Sequence, residues 1–352
     1  MFGDFAQALA GEVRFRAGEI TDEVNTLYIG GGTPSVLPLS AFQTLLSELR
    51  ETGHPGPFDE FTVEVNPEDI VDKGPSYVEG LLELGVNRIS MGVQSFDDSV
   101  LKFMNRRHDS AMARKAYGIL EDAGVRNISI DLIFGLPQLS SSLWNETLDR
   151  ALSISSRGVL PQHISSYQLS VEPGSMLARL VEKGAWSEAS EELCQEQYTA
   201  LCKALASAGY HHYEISNFAQ PGFEARHNSA YWDHVPYVGL GPGAHSFTSS
   251  LRKWNLSDLQ AYLAAGLTGD FASVQEGETL DADQLIMERL MLGLRTSAGL
   301  PESFLHAHCN PSALSRAVSA GYLISIDHRA EPYLRIPESC FFISDSIIAS
   351  LV

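Results

Sequence analysis

The stretch Ile128-Ser129-Ile130-Asp131-Leu132-Ile133-Phe134-Gly135-Leu136-Pro137 decides the fold. Successive side chains of a strand point to opposite faces. Ser129 and Asp131 therefore share one face, and Ile128, Ile130 and Leu132 share the other. Working outward, the same division recurs. In Ile89-Ser90-Met91-Gly92-Val93-Gln94, Ser90, Gly92 and Gln94 lie together. In Phe61-Thr62-Val63-Glu64-Val65-Asn66 the odd positions are apolar and the even ones polar. An ordinary doubly wound sheet, covered by helices on both faces, reads almost wholly apolar. A sheet with one polar face, whose polar side chains grow toward the strand ends, suits a full or incomplete βα barrel holding a polar ligand at its C-terminal rim.

The flanking pattern supports parallel βα units. Strands are expected at Thr26–Ile29, Phe61–Val65, Arg88–Val93, Asn127–Ile133 and His163–Leu169. Helices are expected between them at Leu39–Thr52, Ser76–Leu84, Ser110–Ala123 and Ser142–Ser155. Beyond Ser216 the sequence turns loop-like, aromatic and Gly-rich to about Trp254. Helices follow at Ser257–Ala265 and Ala282–Leu294, then an α-rich tail ending in Phe341–Val352. The expected organisation is a barrel over 1–240, a linker over 241–256 and a smaller α-rich domain over 257–352.

The chain has 352 residues with a net charge of −20 and 44% apolar residues. The size allows two domains. The acidic balance argues against a nucleic-acid surface, since phosphate contacts need surplus Lys and Arg. No apolar run reaches the roughly 18 residues of a membrane span. The opening MFGDFAQALAGEVRFR lacks a signal-peptide core, so a cytoplasmic location is expected. The four cysteines, Cys194, Cys202, Cys309 and Cys340, form no CxxC pair. Cys194 and Cys202 fall on one stripe with Tyr198, Leu201 and Leu205, which reads as buried core thiols.

Several side chains at strand ends carry chemistry. Gly30-Gly31-Gly32-Thr33-Pro34 follows the first strand. Its glycines either make a tight βα turn or bring backbone N–H groups close to a ligand. No Lys follows them, so this is no phosphate P-loop. Glu64 precedes Asn66-Pro67 and can accept bonds from an amine or a ribose hydroxyl. Gln94 ends its strand, with Asn105 and Arg106 a turn later. Asp131 precedes Phe134-Gly135-Leu136-Pro137. One cation, two acids and an amide on one rim suit a zwitterion with an amino-acid part and a nucleoside part.

GGGTP, the Glu64 strand, MGVQSF with a following Asn-Arg, and DLIFGLP occur in this order in radical S-adenosylmethionine (SAM) proteins. From about Asn25 to Phe247 the chain resembles the oxygen-independent coproporphyrinogen III oxidase-like family. The resemblance implies a partial (β/α)6 barrel, α/β in class, with the first strand missing and a smaller α-rich C-terminal domain. It implies that Gly31, Gly32, Thr33, Glu64, Gln94, Arg106 and Asp131 contact SAM. Arg226-His227-Asn228-Ser229-Ala230-Tyr231-Trp232 and Gly239–Phe247 resemble the haem-chaperone (HemW-like) branch. His227 offers an imidazole for iron, and Tyr231 and Trp232 offer flat area for a macrocycle. The same residues also suit a packed loop whose His bonds a carbonyl.

The family holds a [4Fe–4S] cluster on a C-x3-C-x2-C loop after an earlier strand. Here the helix from Phe2 to about Arg16 matches the segment after that loop, so no metal ligand is expected in this chain. The expectation is a chain shortened before Met1, with a degenerate relative as the alternative; as it stands the chain is expected to build no cluster and make no deoxyadenosyl radical. The resemblance thus implies a protein that binds haem and SAM and passes haem to an unidentified acceptor. The competing expectations are oxidative decarboxylation of coproporphyrinogen III, and a barrel that binds a nucleoside-like ligand without radical chemistry.

Overall fold

The structure, a computed structural model, describes residues 2–328 and 330–352. Met1, on which the expectation of a shortened start bears, lies outside the described residues. In chain order the elements begin with α1 (Phe2–Arg16), β1 (Thr26–Ile29), α2 (Leu39–Glu51), β2 (Glu60–Val65), α3 (Pro67–Lys73), α4 (Pro75–Glu83) and β3 (Arg88–Gln94). Next come α5 (Asp98–Phe103), α6 (Ser110–Asp122), β4 (Ile128–Phe134), α7 (Ser141–Leu152), β5 (His163–Gln168), α8 (Met176–Glu182) and α9 (Glu191–Ser207). They are followed by β6 (His211–Glu214), β7 (Asn217–Ala219), α10 (Arg226–Trp232), β8 (His245–Thr248), β9 (Leu251–Asn255), α11 (Leu259–Thr268) and β10 (Gln275–Thr279). The chain closes with α12 (Ala282–Gly293), β11 (Leu300–Pro301), α13 (Glu302–His308), α14 (Pro311–Ser319), β12 (Ile324–His328), β13 (Glu331–Arg335) and α15 (Ser344–Leu351).

The chain forms two compact units. The first gathers Met1–Glu64, Ser76–Asn87 and Ala225–Gly293. In it β1 pairs parallel with β2, Thr26 opposite Glu60 and Ile29 opposite Val63. Helix α2 exists because Ala41, Phe42, Leu45 and Leu49 recur at helical spacing and are buried. Leu45 and Leu49 pack with Val13 of α1 and with Leu27 and Ile29 of β1. A second cluster joins Ala8 of α1 to Tyr262, Ala265, Phe271 and Val274. The stretch expected as a linker, 241–256, instead carries β8 and β9, which form an antiparallel sheet with β10. Its Gly-rich, aromatic composition reads as loop, and only pairing with the distant β10 completes it.

The second unit gathers Val65–Pro75, Arg88–Glu224 and Leu294–Val352. Here β3, β4 and β5 are parallel, β7 runs antiparallel to β5, and β6 antiparallel to β7. Buried Ile130, Leu132 and Phe134 of β4 alternate with the less buried Asp131 and Ile133. Asp97, Asp109, Ser140 and Ser190 cap α5, α6, α7 and α9 by accepting from backbone N–H groups of the first turn. The tail, expected to be α-rich, also carries a three-stranded sheet in the order β11-β13-β12. The α/β class and all five expected βα strands stand, each within a residue at the start and at the end.

Candidate functional site

In the first unit the site begins at the glycine loop after β1. Glu64 Oε1 accepts a 2.5 Å bond from the Tyr28 hydroxyl, and Oε2 accepts from the Gly31 N–H at 3.1 Å. Gly30 makes this possible. A Cβ there would sit 2.6 Å from Glu64 Oε1 and inside the Tyr28 ring. Gly31 has a φ of 78°, which only glycine adopts without cost. Gly31 and Gly32 are exposed, and Thr33 is half-buried. The loop therefore presents backbone groups beside a carboxylate already held by two donors.

The second element of this unit is α10. The HNxxYW segment, expected within a loop-like stretch, is helical. Glu60, nearly buried, accepts from the backbone N–H of Arg226 at 2.8 Å and of His227 at 3.1 Å. A carboxylate at a helix N-terminus satisfies donors that the helix itself cannot. The His227 ring lies 5.0 Å from the Tyr28 ring at 15°, a stacked pair. Its Nδ1 is 2.8 Å from Thr26 Oγ1 and its Nε2 is 2.8 Å from the Tyr231 hydroxyl. Burial lowers the His227 pKa, and Glu60 opposes that shift. Burial with Tyr237 nearby pushes the Tyr231 phenol up to about 12. Tyr231 and Tyr237 meet edge to face at 4.6 Å. Tyr231 is exposed and Trp232 half-buried.

In the second unit Asp131 of β4 accepts from Ser90 Oγ at 3.1 and 3.3 Å. Burial lowers the Arg106 pKa, while the carboxylates of Glu68 and Asp131 pull it back up. Glu68 anchors the loop that carries Arg106: it accepts from Arg107 Nε at 3.0 Å and lies 3.1 Å from His108 Nδ1. Gln94 ends β3 with φ 66°, just past a break in the β3–β4 register. A left-handed glutamine is strained, and such strain clusters at ligand sites. Gly92 accommodates the result, since a Cβ there would meet Gln94 Nε2 at 2.8 Å.

Each unit thus brings part of the expected set together: Gly31 with Glu64, His227 with Tyr231, and Arg106 with Asp131. Sequence reasoning missed Thr26, Tyr28 and Glu60. Thr26 and Tyr28 alternate on one face of β1, so strand periodicity held their signal. Glu60 carried none, because its partners stand more than a hundred residues away.

The Radical SAM superfamily matches residues 7–151. The chain is 36% identical over 286 residues to the heme chaperone HemW of Lactococcus lactis, covering 81% of this chain and 72% of that protein. It is 35% identical over 301 residues to the heme chaperone HemW of Mycobacterium tuberculosis, covering 85% and 75%. The chain belongs to this haem-chaperone family of radical SAM proteins. Coproporphyrinogen III oxidase (HemN) from Escherichia coli shares the fold, with a TM-score of 0.79 at 20% identity over 99% of this chain and 82% of that one.

The family implies SAM and a [4Fe–4S] cluster. The donors present fit SAM: carboxylates, an amide and exposed backbone N–H groups suit its amine, carboxylate and ribose hydroxyls. They do not fit the cluster. Cys194, Cys202, Cys309 and Cys340 are all free, and burial raises the Cys194, Cys202 and Cys309 thiols. Among the described residues no group of three His, Cys, Asp or Glu could hold a metal. No helix among the described residues is long and apolar enough to cross a membrane.

Proposed function

We propose that the chain binds haem at the exposed face of α10 and SAM at the strand-end donors, and passes haem to an acceptor protein in the cytoplasm. The observation that carries the reading is the His227 imidazole, held by Thr26, Tyr28 and Tyr231. A neutral imidazole ligates iron through whichever nitrogen is free. Here Nε2 faces the exposed Tyr231 hydroxyl. Iron approaching from that side displaces one phenol and leaves the Nδ1–Thr26 bond to orient the ring. Of the donors proposed for SAM, Glu64 with the Gly31 and Gly32 backbone belongs to the first unit, and Gln94, Arg106 and Asp131 belong to the second.

Haem titration followed in the Soret band tests this. The expected result is a shifted band with the chain as it stands, weakened at least tenfold in His227→Ala. An identical shift in His227→Ala, or none in the parent chain, removes the reading. The names of the two HemW relatives support haem as cargo.

A further inference from the structure

Within the first unit one residue touches both candidate loci. The Tyr28 hydroxyl donates to Glu64 Oε1, and the Tyr28 ring stacks on His227. Both contacts are constrained from outside. Glu64 is also held by the Gly31 N–H, and His227 by Thr26 and Tyr231. Gly30 has no side chain to wedge between ring and carboxylate. The tyrosine therefore cannot satisfy one neighbour independently of the other. If its hydroxyl is released from Glu64, the ring loses one of the contacts that set its plane over the imidazole.

We propose that Tyr28 is a positioning residue that couples the two loci: a cationic or hydroxyl-bearing ligand group taken by Glu64 changes how His227 is presented to haem iron, and haem changes the hold of Glu64 on its ligand. The identities of the ligands rest on the function proposed above; the coupling between the side chains does not. A ligand amine or ribose hydroxyl at Glu64 competes for the oxygen that Tyr28 uses. The freed phenol then turns or finds water, and its stacking on the imidazole changes. Once iron has displaced the Tyr231 hydroxyl, Thr26 and Tyr28 orient the ring among the described residues, so the effect of Tyr28 grows. Because coupling between two binding equilibria is reciprocal, the factor must be the same in both directions. Typical couplings are about 5- to 150-fold.

The test uses the intact chain labelled with 15N-histidine at one fixed pH. The His227 side-chain signals, identified by their loss in His227→Ala, are compared in the parent, Glu64→Gln, Tyr28→Phe and the double variant. Coupling requires that Glu64→Gln move these signals in the Tyr28 background and leave them unmoved in the Tyr28→Phe background. Gly30→Ala, which forces ring and carboxylate apart without removing either, is expected to give the same insensitivity. A second measurement titrates haem with and without saturating SAM. The affinities are expected to differ at least about fivefold in the parent and under about twofold in Tyr28→Phe. Equal Glu64→Gln shifts in both backgrounds overturn the coupling. So do haem affinities indifferent to SAM when both ligands bind. If neither ligand binds while the shifts remain dependent on Tyr28, the proposed function fails and the coupling stands.

Discussion

Two glutamates of this protein are both completely buried, and they live in opposite surroundings. Glu12, on α1 of the first unit, accepts from the Gly241 N–H at 2.8 Å, the Tyr262 hydroxyl at 2.6 Å and Asn255 Nδ2 at 2.7 Å. The equally buried Arg16 guanidinium lies 3.6 Å away. Glu214, on β6 of the second unit, has the Ser216 N–H at 3.3 Å and the Asn217 side chain, and no cation among the causes that set its charge. Its Oε1 and the Asn217 Oδ1 have no hydrogen-bond partner among the described residues. Burial pushes the Glu214 carboxyl up to about 7. Residue type and depth are thus the same, and the neighbours decide what each does. Glu12 is the ionic hub of its unit, while Glu214 is a group whose proton is in play near neutral pH.

The comparison breaks most visibly at Glu12. Glu12→Ala strips three donors of their acceptor and leaves the buried Arg16 with the half-buried Glu19 as its carboxylate partner among the described residues. Breaking a buried pair from one side costs about 3–5 kcal/mol. Urea denaturation is expected to show a loss of that order, and a loss under about 1 kcal/mol would mean that water takes over the role. Tyr262→Phe is the milder probe. It keeps the buried ring and removes one of the donors, a bond to a charged group worth about 1.5–3 kcal/mol.

The pH dependence sharpens the other side. Glu214 holds its proton more tightly folded than unfolded, so between about 4.5 and about 7 the native state binds more protons and stability falls as pH rises. His212, on the same strand, does the reverse. It stacks on Phe218 at 4.0 Å, and burial lowers its pKa from 6.5 to about 4. The unfolded chain takes up that proton first, so this contribution is lost as pH falls through the same range. Each slope is at most about 1.4 kcal/mol per pH unit, and in the shared window they oppose each other. Glu214→Gln is expected to leave stability rising with pH there, and His212→Gln to leave it falling. Parallel stability curves for the two variants would show that neither group titrates as placed.

How far the sequence led can be judged from particular elements. Strands β1 to β5 and helices α2, α4, α6 and α7 follow from period and caps, because alternation and N-capping are properties of a few adjacent residues. The Ser90–Asp131 contact is also legible, since both lie on the polar face the alternation defines. The α10 helix is not, because its cap is Glu60, far away in the chain. The antiparallel pair β12–β13 has a local signal in the alternation of Ile324-Ser325-Ile326-Asp327-His328, although the tail as a whole reads as α-rich. The strand β8 offered less: His245-Ser246-Phe247-Thr248 follows a glycine-rich run, and its partner β9 is completed by β10.

The sequence by itself determined the α/β repeat, the polar face that carries Asp131, the glycine loop beside Glu64 and the kinship with haem chaperones. These are local patterns, written in spacings of two, three or four residues and in short motifs. Only the tertiary structure decided which groups share a proton or a ligand. Thr26 meets His227 across 201 residues, Tyr28 meets Glu64 across 36, and Glu12 meets Tyr262 across 250. Hydrogen bonds and pKa shifts depend on distances of about 3 Å and on local burial, and no pattern along the chain encodes either.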